Sequence, residues 1–262
     1  MTNVKKFLSC CLDFFYSKET NMLKKIALAL AVVASSSFAT YNYFPVGEAG
    51  KGQVEVGLAH TWDDGWSTTA LRLKGEYVVI PNLELAIMGL GYQFGDNDGF
   101  TAMTLGARYQ FMPMLIAAVD VALPLNSEDA VGPYDPFGLY FAIQYTQELM
   151  PNLALGSELG LNWKFEDEDI DEGLKMTLQG ELDYTIASIG LTPWVGLAFD
   201  LRLTDSEYAS VKADDSGDNG ISFWVGAGYD INAMFSVKAN LVICRSDFGD
   251  YQEINAALDI NF

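Results

Sequence analysis

The chain has 262 residues, with 15 Lys and Arg against 35 Asp and Glu, one His and three Cys, for a formal charge of −20. So acidic a surface excludes a nucleic-acid backbone as partner, because phosphates are bound by basic groups. Half of the residues are apolar, yet no run reaches the roughly 18 that a membrane-spanning helix needs, and the Cys spacing supports neither a disulfide framework nor a metal site.

Residues 22–39 read MLKKIALALAVVASSSFA. Lys24 and Lys25 precede an apolar stretch, Ile26 to Ala34, and Ser37-Phe38-Ala39 closes it. A basic start, a short apolar centre and a small-residue cleavage site are the plan of a secretory signal peptide. Residues 1–21, with Cys10 and Cys11, then read as an upstream extension before Met22, the expected true start. Removing residues 1–39 takes away five Lys and two acids and leaves 10 basic against 33 acidic residues, a charge of −23. Residues 40–50 are expected as a short periplasmic segment, and residues 51–262 as one barrel domain.

From residue 51 the chain alternates. The first strand sets Val54, Val56, Leu58 and His60 against Gln53, Glu55, Gly57 and Ala59. Asp64-Gly65, a hairpin dipeptide, leads to a second strand with Leu71, Leu73, Tyr77 and Val79 opposite Arg72, Lys74 and Glu76. The third spans Leu83 to Phe94, and the fourth sets Met103, Leu105, Ala107, Tyr109 and Phe111 against Arg108 and Gln110. The fifth, Leu115 to Leu123, is apolar throughout except for Asp120. After a loop with Glu128, Asp129, Pro133 and Pro136, the sixth carries Leu139, Phe141, Ile143 and Tyr145 on one face. The seventh follows from Leu153, and the acidic run EDEDIDE at 166–172 leads into the eighth, the cleanest alternation in the chain. The ninth begins at Leu191, the tenth carries Phe223 to Tyr229, the eleventh begins at Phe235, and Tyr251 to Phe262 closes the chain. Successive side chains of a strand point to opposite faces, so each segment has one oily and one wet face. The reading is all-β: a closed antiparallel up-and-down transmembrane β-barrel of about 12 strands (10 to 14) whose oily face meets lipid.

Connections after the even strands are tight: Pro81-Asn82, Met112-Pro113, Met150-Pro151-Asn152, Ala187-Ser188 and Asn232-Ala233. Those after the odd strands are mostly longer and acidic, which is the barrel rule of short periplasmic turns and longer outer loops. An outward aromatic precedes each tight turn or ends the chain: Tyr77, Tyr109, Tyr145, Tyr184, Tyr229 and Phe262. Rings with polar tips belong at the lipid headgroup level, so these six form an expected girdle.

With the signal peptide, the alternating strands, the PNL-type turns and Phe262 in view, the chain resembles the porin-like class of outer-membrane β-barrel proteins of Gram-negative bacteria. The likeness covers residues 22–262 and reaches no particular subfamily. It implies an outer-membrane location, contact with lipid and lipopolysaccharide, and recognition of the strand Tyr251–Phe262 by the barrel-assembly machinery.

On this reading a function sits on the inner face. The candidates to line a pore are Glu55, Arg72, Lys74, Glu76, Glu84, Arg108, Asp120, Glu158, Lys164, Lys175, Glu181, Asp183, Asp200, Arg202, Asp230, Lys238, Glu253 and Asp259. Rings of charge around water set ion selectivity, whereas Arg and Lys paired with these acids would fill the lumen as a polar core. The many inner Gly and Ala favour the open form. His60, the only histidine, lies on the oily face with Thr69 opposite and Ser67 close, but a nucleophile, its base and an orienting third group make no motif here. Paired acids such as Asp63-Asp64 and Asp214-Asp215 lie on loops, and Asp96-Asn97-Asp98-Gly99 lacks the later Glu of a calcium loop. No cofactor or resident metal is expected; divalent ions could bridge acidic loops to lipopolysaccharide.

The expected function is a passive channel for small hydrophilic solutes or ions, leaning cationic because inner and loop acids outnumber bases. The alternatives are a closed structural or surface-binding barrel and, third, a lipid-facing barrel hydrolase resting on His60. The rival fold is a periplasmic sandwich with its oily faces buried between two sheets.

Overall fold

The computed structural model describes residues 43–63, 65–95, 98–101, 103–125, 136–167, 170–209 and 211–262. The signal peptide, Met22, Cys10 and Cys11, Asp64, the pair at 96–97 and the loop acids Glu128 and Asp129 lie outside them. Among the described residues there are twelve long strands: β1 (Gly52–Asp63), β2 (Trp66–Ile80), β3 (Leu83–Phe94), β4 (Met103–Met112), β5 (Leu115–Leu123), β6 (Gly138–Met150), β7 (Leu153–Lys164), β8 (Lys175–Tyr184), β9 (Leu191–Arg202), β10 (Asn219–Asp230), β11 (Phe235–Ser246) and β12 (Tyr251–Asn261). Each pairs antiparallel with its chain neighbours, and β1 pairs with β12 as well, Gln53 opposite Asn261 and Trp62 opposite Gln252. Gly52 and Phe262 exchange N–H···O bonds of 3.0 Å across this seam. The sheet is closed.

The outward face is apolar and exposed. Leu178, Leu182 and Phe223 keep 53, 37 and 42% of their surface accessible, whereas inward Gln144 and Glu158 keep 0 and 1%. A soluble sandwich would bury the first group and wet the second. The inversion places hydrocarbon outside and polar groups within, as in a membrane barrel. The apolar strand β5 obeys the same parity, with Ile116, Ala118 and Asp120 buried inward.

The tight connections gather at one end, with the start of β1 and the end of β12. Pro presets the first turn residue, and the Asn after it takes the left-handed backbone that Asn tolerates: φ is 69° at Asn82 and 70° at Asn152. A register shift precedes each of these turns, at Val78/Ile80 and Glu148/Met150. Tyr77, Tyr109, Tyr184, Tyr229 and Phe262 are exposed at this rim, and Tyr145 is half-buried. Tyr77 stacks on Phe262 across the seam, centroids 6.4 Å apart.

Two features depart from the alternation. Within the long connections, Glu207–Tyr208 pairs with both Val211–Lys212 and Ile170–Asp171, a small sheet that ties two loops together. Strands of two residues carry no periodic signal. The second departure is the segment before β1, expected outside the barrel. Gly50 N–H donates to Val78 O at 2.8 Å at the turn end. From there the chain runs into the lumen: Val46 N–H donates to Gln110 Oε1 at 3.0 Å, and Arg108 Nη2 to Phe44 O at 2.6 Å. Tyr43 lies where a side chain on Gly156 would stand, 2.5 Å from an ideal Cβ. A segment leaving a sheet needs partners for its backbone polar groups, and the inner wall supplies them.

Candidate functional site

Seventeen of the eighteen expected lumen residues are buried or half-buried on the inner wall; Asp230 is exposed at the turn end. All seven basic ones sit in ion pairs. Arg72 meets Glu253 at 2.6 Å, Lys238 meets Glu55 at 2.6 Å and Asp259 at 3.2 Å, and Lys74 meets Glu55 at 3.5 Å. Arg108 meets Glu84 at 3.4 Å, Lys164 and Lys175 meet Glu172 at 2.7 and 2.8 Å, and Arg202 meets Asp215. Glu76, Asp120, Glu181, Asp183 and Asp200 form no close ion pair among the described residues, so the lumen keeps an acidic surplus.

The lumen is filled on one side only. From β3 to β7, Glu158 accepts hydrogen bonds from Tyr140 Oη at 2.5 Å, Gln144 Nε2 at 2.8 Å and Gln179 Nε2 at 2.7 Å. Tyr140 occupies the space above Gly160, and Arg108 holds the entering N-terminal segment against the same wall. From β8 round to β1 a cavity of about 720 Å³ remains. Its lining runs from Gln53, near the turn end, to Asp247 and Phe248 at the loop end. Gln53 also lines a second cavity of about 540 Å³ at the turn end, between Pro45, Glu76 and Phe262. The expectation that inner glycines leave an open lumen is corrected in part. Gly156, Gly160, Gly196 and Gly226 are floors under Tyr43, Tyr140, Trp224 and Trp194, so the missing side chain makes room for a neighbouring ring.

At the loop end a clasp spans the open side. Glu172, buried and delivered by the loop before β8, bridges Lys164 and Lys175. Burial alone would raise its carboxyl, but the two ammonium groups outweigh that and hold it well below the usual carboxylate range. Asp215, from the loop before β10, binds Arg202 and accepts from Ser206 N–H at 2.8 Å and Ser206 Oγ at 2.6 Å. The Phe248 ring lies 5.2 Å from Lys175 Nζ and 5.0 Å from the Arg202 guanidinium carbon, in cation–π reach.

Selecting charged inward residues passed over Tyr140, Gln144, Gln179, Trp194 and Trp224, although their parity is that of the charges beside them. Tyr43, Glu172 and Asp215 lie outside the long strands, and no periodicity points to them. His60 does face Thr69, Nδ1 to Oγ1 at 2.9 Å, and stacks on Trp62 with centroids 5.6 Å apart. No carboxylate completes the pair among the described residues, and no group of three or more His, Cys, Asp or Glu there is arranged to hold a metal.

A family model described as "Putative MetA-pathway of phenol degradation" matches residues 32–247. No curated protein matches the chain. Among solved structures, an outer membrane channel from Pseudomonas putida F1 superposes with a TM-score of 0.65 at 15% identity, over 86% of this chain and 100% of that one. The NanC porin gives 0.55 at 8% identity, over 79% and 98% of the two chains. A KdgM porin in complex with disordered oligogalacturonate gives 0.50 at 12% identity, over 79% and 99%. At such identities the likeness is one of fold.

Proposed function

The chain belongs to the family described as "Putative MetA-pathway of phenol degradation", and on that premise we propose that it is a passive outer-membrane channel for small hydrophilic solutes, with a preference for cations. The observation that carries this reading is the cavity of about 720 Å³ along the β8-to-β1 wall, with a second of about 540 Å³ at the turn end and Gln53 lining both. Both are lined by charged and polar groups inside a barrel with an apolar exterior, the arrangement that passes water-soluble molecules through lipid. The similarity of fold to an outer membrane channel and to two porins supports it.

The cation preference rests on Glu181, Asp183 and Asp200 in the large cavity and Glu76 in the turn-end one, which have no close ion pair among the described residues. On this reading the tight turns and the N-terminal segment face the periplasm, the clasp of Glu172 and Asp215 faces outward, and β12 with Phe262 is the strand offered to the assembly machinery. We read the barrel as non-enzymatic, with His60 and Thr69 as a pair at the lipid interface. Conductance of the purified barrel in planar bilayers is the test. Stepwise currents, with a reversal potential of cationic sign under a salt gradient, are expected. Absence of steps would leave a structural or surface-binding barrel.

A further inference from the structure

The open wall carries two tryptophans set into it. Trp194 of β9 stands opposite Gly226 of β10, and Gly196 stands opposite Trp224. Each indole lies across the neighbouring strand's glycine: an ideal Cβ on Gly196 would fall 2.0 Å from Trp224 Cε2, and one on Gly226 would fall 2.5 Å from Trp194 Cε2. Any side chain at either glycine would displace the ring. The Trp224 indole N–H donates to Glu181 Oε2, which fixes that ring by its edge. Both indoles line the large cavity and are only half-buried. The polar wall therefore holds an aromatic surface, preformed and facing the space through which solute would pass.

Its charged surroundings narrow what it can take. Glu181 and Asp183, two apart on the inner face of β8, lie beside it in the adjoining rows: Glu181 is opposite Gly196, and Asp183 is opposite Trp194. Neither is in an ion pair among the described residues. Indole faces carry the negative end of the ring quadrupole and attract cations within about 6 Å. Offset stacking of rings adds to what burial of their area contributes. Flat apolar faces beside this mutually hydrogen-bonded pair of carboxyl groups suit a ring that carries a positive charge, and they repel an anionic one. The cavity of about 720 Å³ is in the usual range for a small-molecule site.

We propose that Trp194 and Trp224, with Glu181 and Asp183, form a binding shelf for a small aromatic cation on the lumen wall. The proposal deepens the channel reading for its route, but binding itself does not require conduction. The test is calorimetric titration of the folded barrel in detergent with benzylammonium, and with ethylammonium, benzoate and methyl glucoside as comparison probes. Saturable binding is expected for benzylammonium, with little from the ringless cation, the anionic ring or the sugar ring. The double variant W194A/W224A should weaken benzylammonium about tenfold, equivalent to about 1.4 kcal/mol, while W194F/W224F keeps most of the affinity and controls for folding. The variant E181Q/D183N should lose affinity for benzylammonium and not for neutral benzyl alcohol. Unchanged affinity in the alanine pair, or binding of benzoate or methyl glucoside as tight as benzylammonium, would overturn the shelf. Conductance separates the two readings. Binding without current removes the channel and leaves the shelf; current without benzylammonium binding removes the shelf and leaves the channel.

Discussion

The two sides of the lumen are made from the same alternating strands and reach opposite ends. On the β3-to-β7 side, inward residues are long and mutually satisfying: Tyr140 and Gln144 converge on Glu158, joined by Gln179 from the adjoining β8, and Arg108 reaches both Glu84 and the backbone of the entering segment. On the β8-to-β1 side, rings lie along the wall over glycine, and a cavity of about 720 Å³ remains. The difference teaches that a barrel's bore is not set by strand number alone. It depends also on what stands against each wall: the segment at 43–46 is bonded to Arg108 and Gln110 on one side, and a cavity remains on the other.

The sharpest way to break this contrast is at Glu158. Glu158→Leu leaves three buried donors without their acceptor, and stranding buried polar groups costs about 1–3 kcal/mol. The temperature at which the barrel loses its compact mobility in detergent gels should fall markedly, whereas Trp194→Ala on the open side should shift it little. Equal shifts would mean that the two walls do not differ in how they support the fold.

Deletion of residues 43–47 should act next in size, on conductance rather than stability. The segment stands in the lumen between Gln110 and Gly156, so its loss is expected to raise single-channel current several-fold. An unchanged current would place the ion path wholly outside the space it occupies.

The outer end of the open side is sharpened by acid. With the Glu172 carboxyl held below its ordinary value by Lys164 and Lys175, the clasp's contribution is fully present above the unfolded value, about 4.3 for Glu. It is lost only as pH falls through the lower folded value. Protease nicking of the loops at 165–174 and 203–218 should therefore be flat from neutral pH to about pH 5 and rise only in stronger acid. Glu172→Gln should show the raised nicking already at neutral pH. The smallest effect is expected from Lys238→Met, which frees Asp259 and leaves Glu55 to Lys74 alone, and should increase cation preference modestly in reversal-potential measurements.

Much of this architecture was legible in advance. The period of two, the PNL turns and the tyrosine before each tight turn are local signals, because a strand's pleat and a turn's backbone depend on adjacent residues alone. They yielded the closed sheet, both bounds of β3 and β5, the lipid-facing side and the rim of aromatics. The inner charges at Glu158, Arg108 and Lys238 followed from parity in the same way. That rule had less purchase on the uncharged inward residues, Tyr140, Gln144, Trp194 and Trp224, because only their neighbours reveal whether they fill the bore or line it.

By itself, then, the order of residues determined which way each strand faces and where each hairpin turns. Only the tertiary structure decided that Tyr43 returns into the lumen, that Glu172 and Asp215 reach across from separate loops, and that Trp194 and Trp224 lie down on Gly226 and Gly196. The physical reason is range. Alternation records each side chain's choice between lipid and interior one residue at a time, while contacts inside the bore join residues as far as 192 positions apart, as Thr61 and Glu253 are. They exist only once the ring has closed and side-chain volumes compete for the same enclosed space.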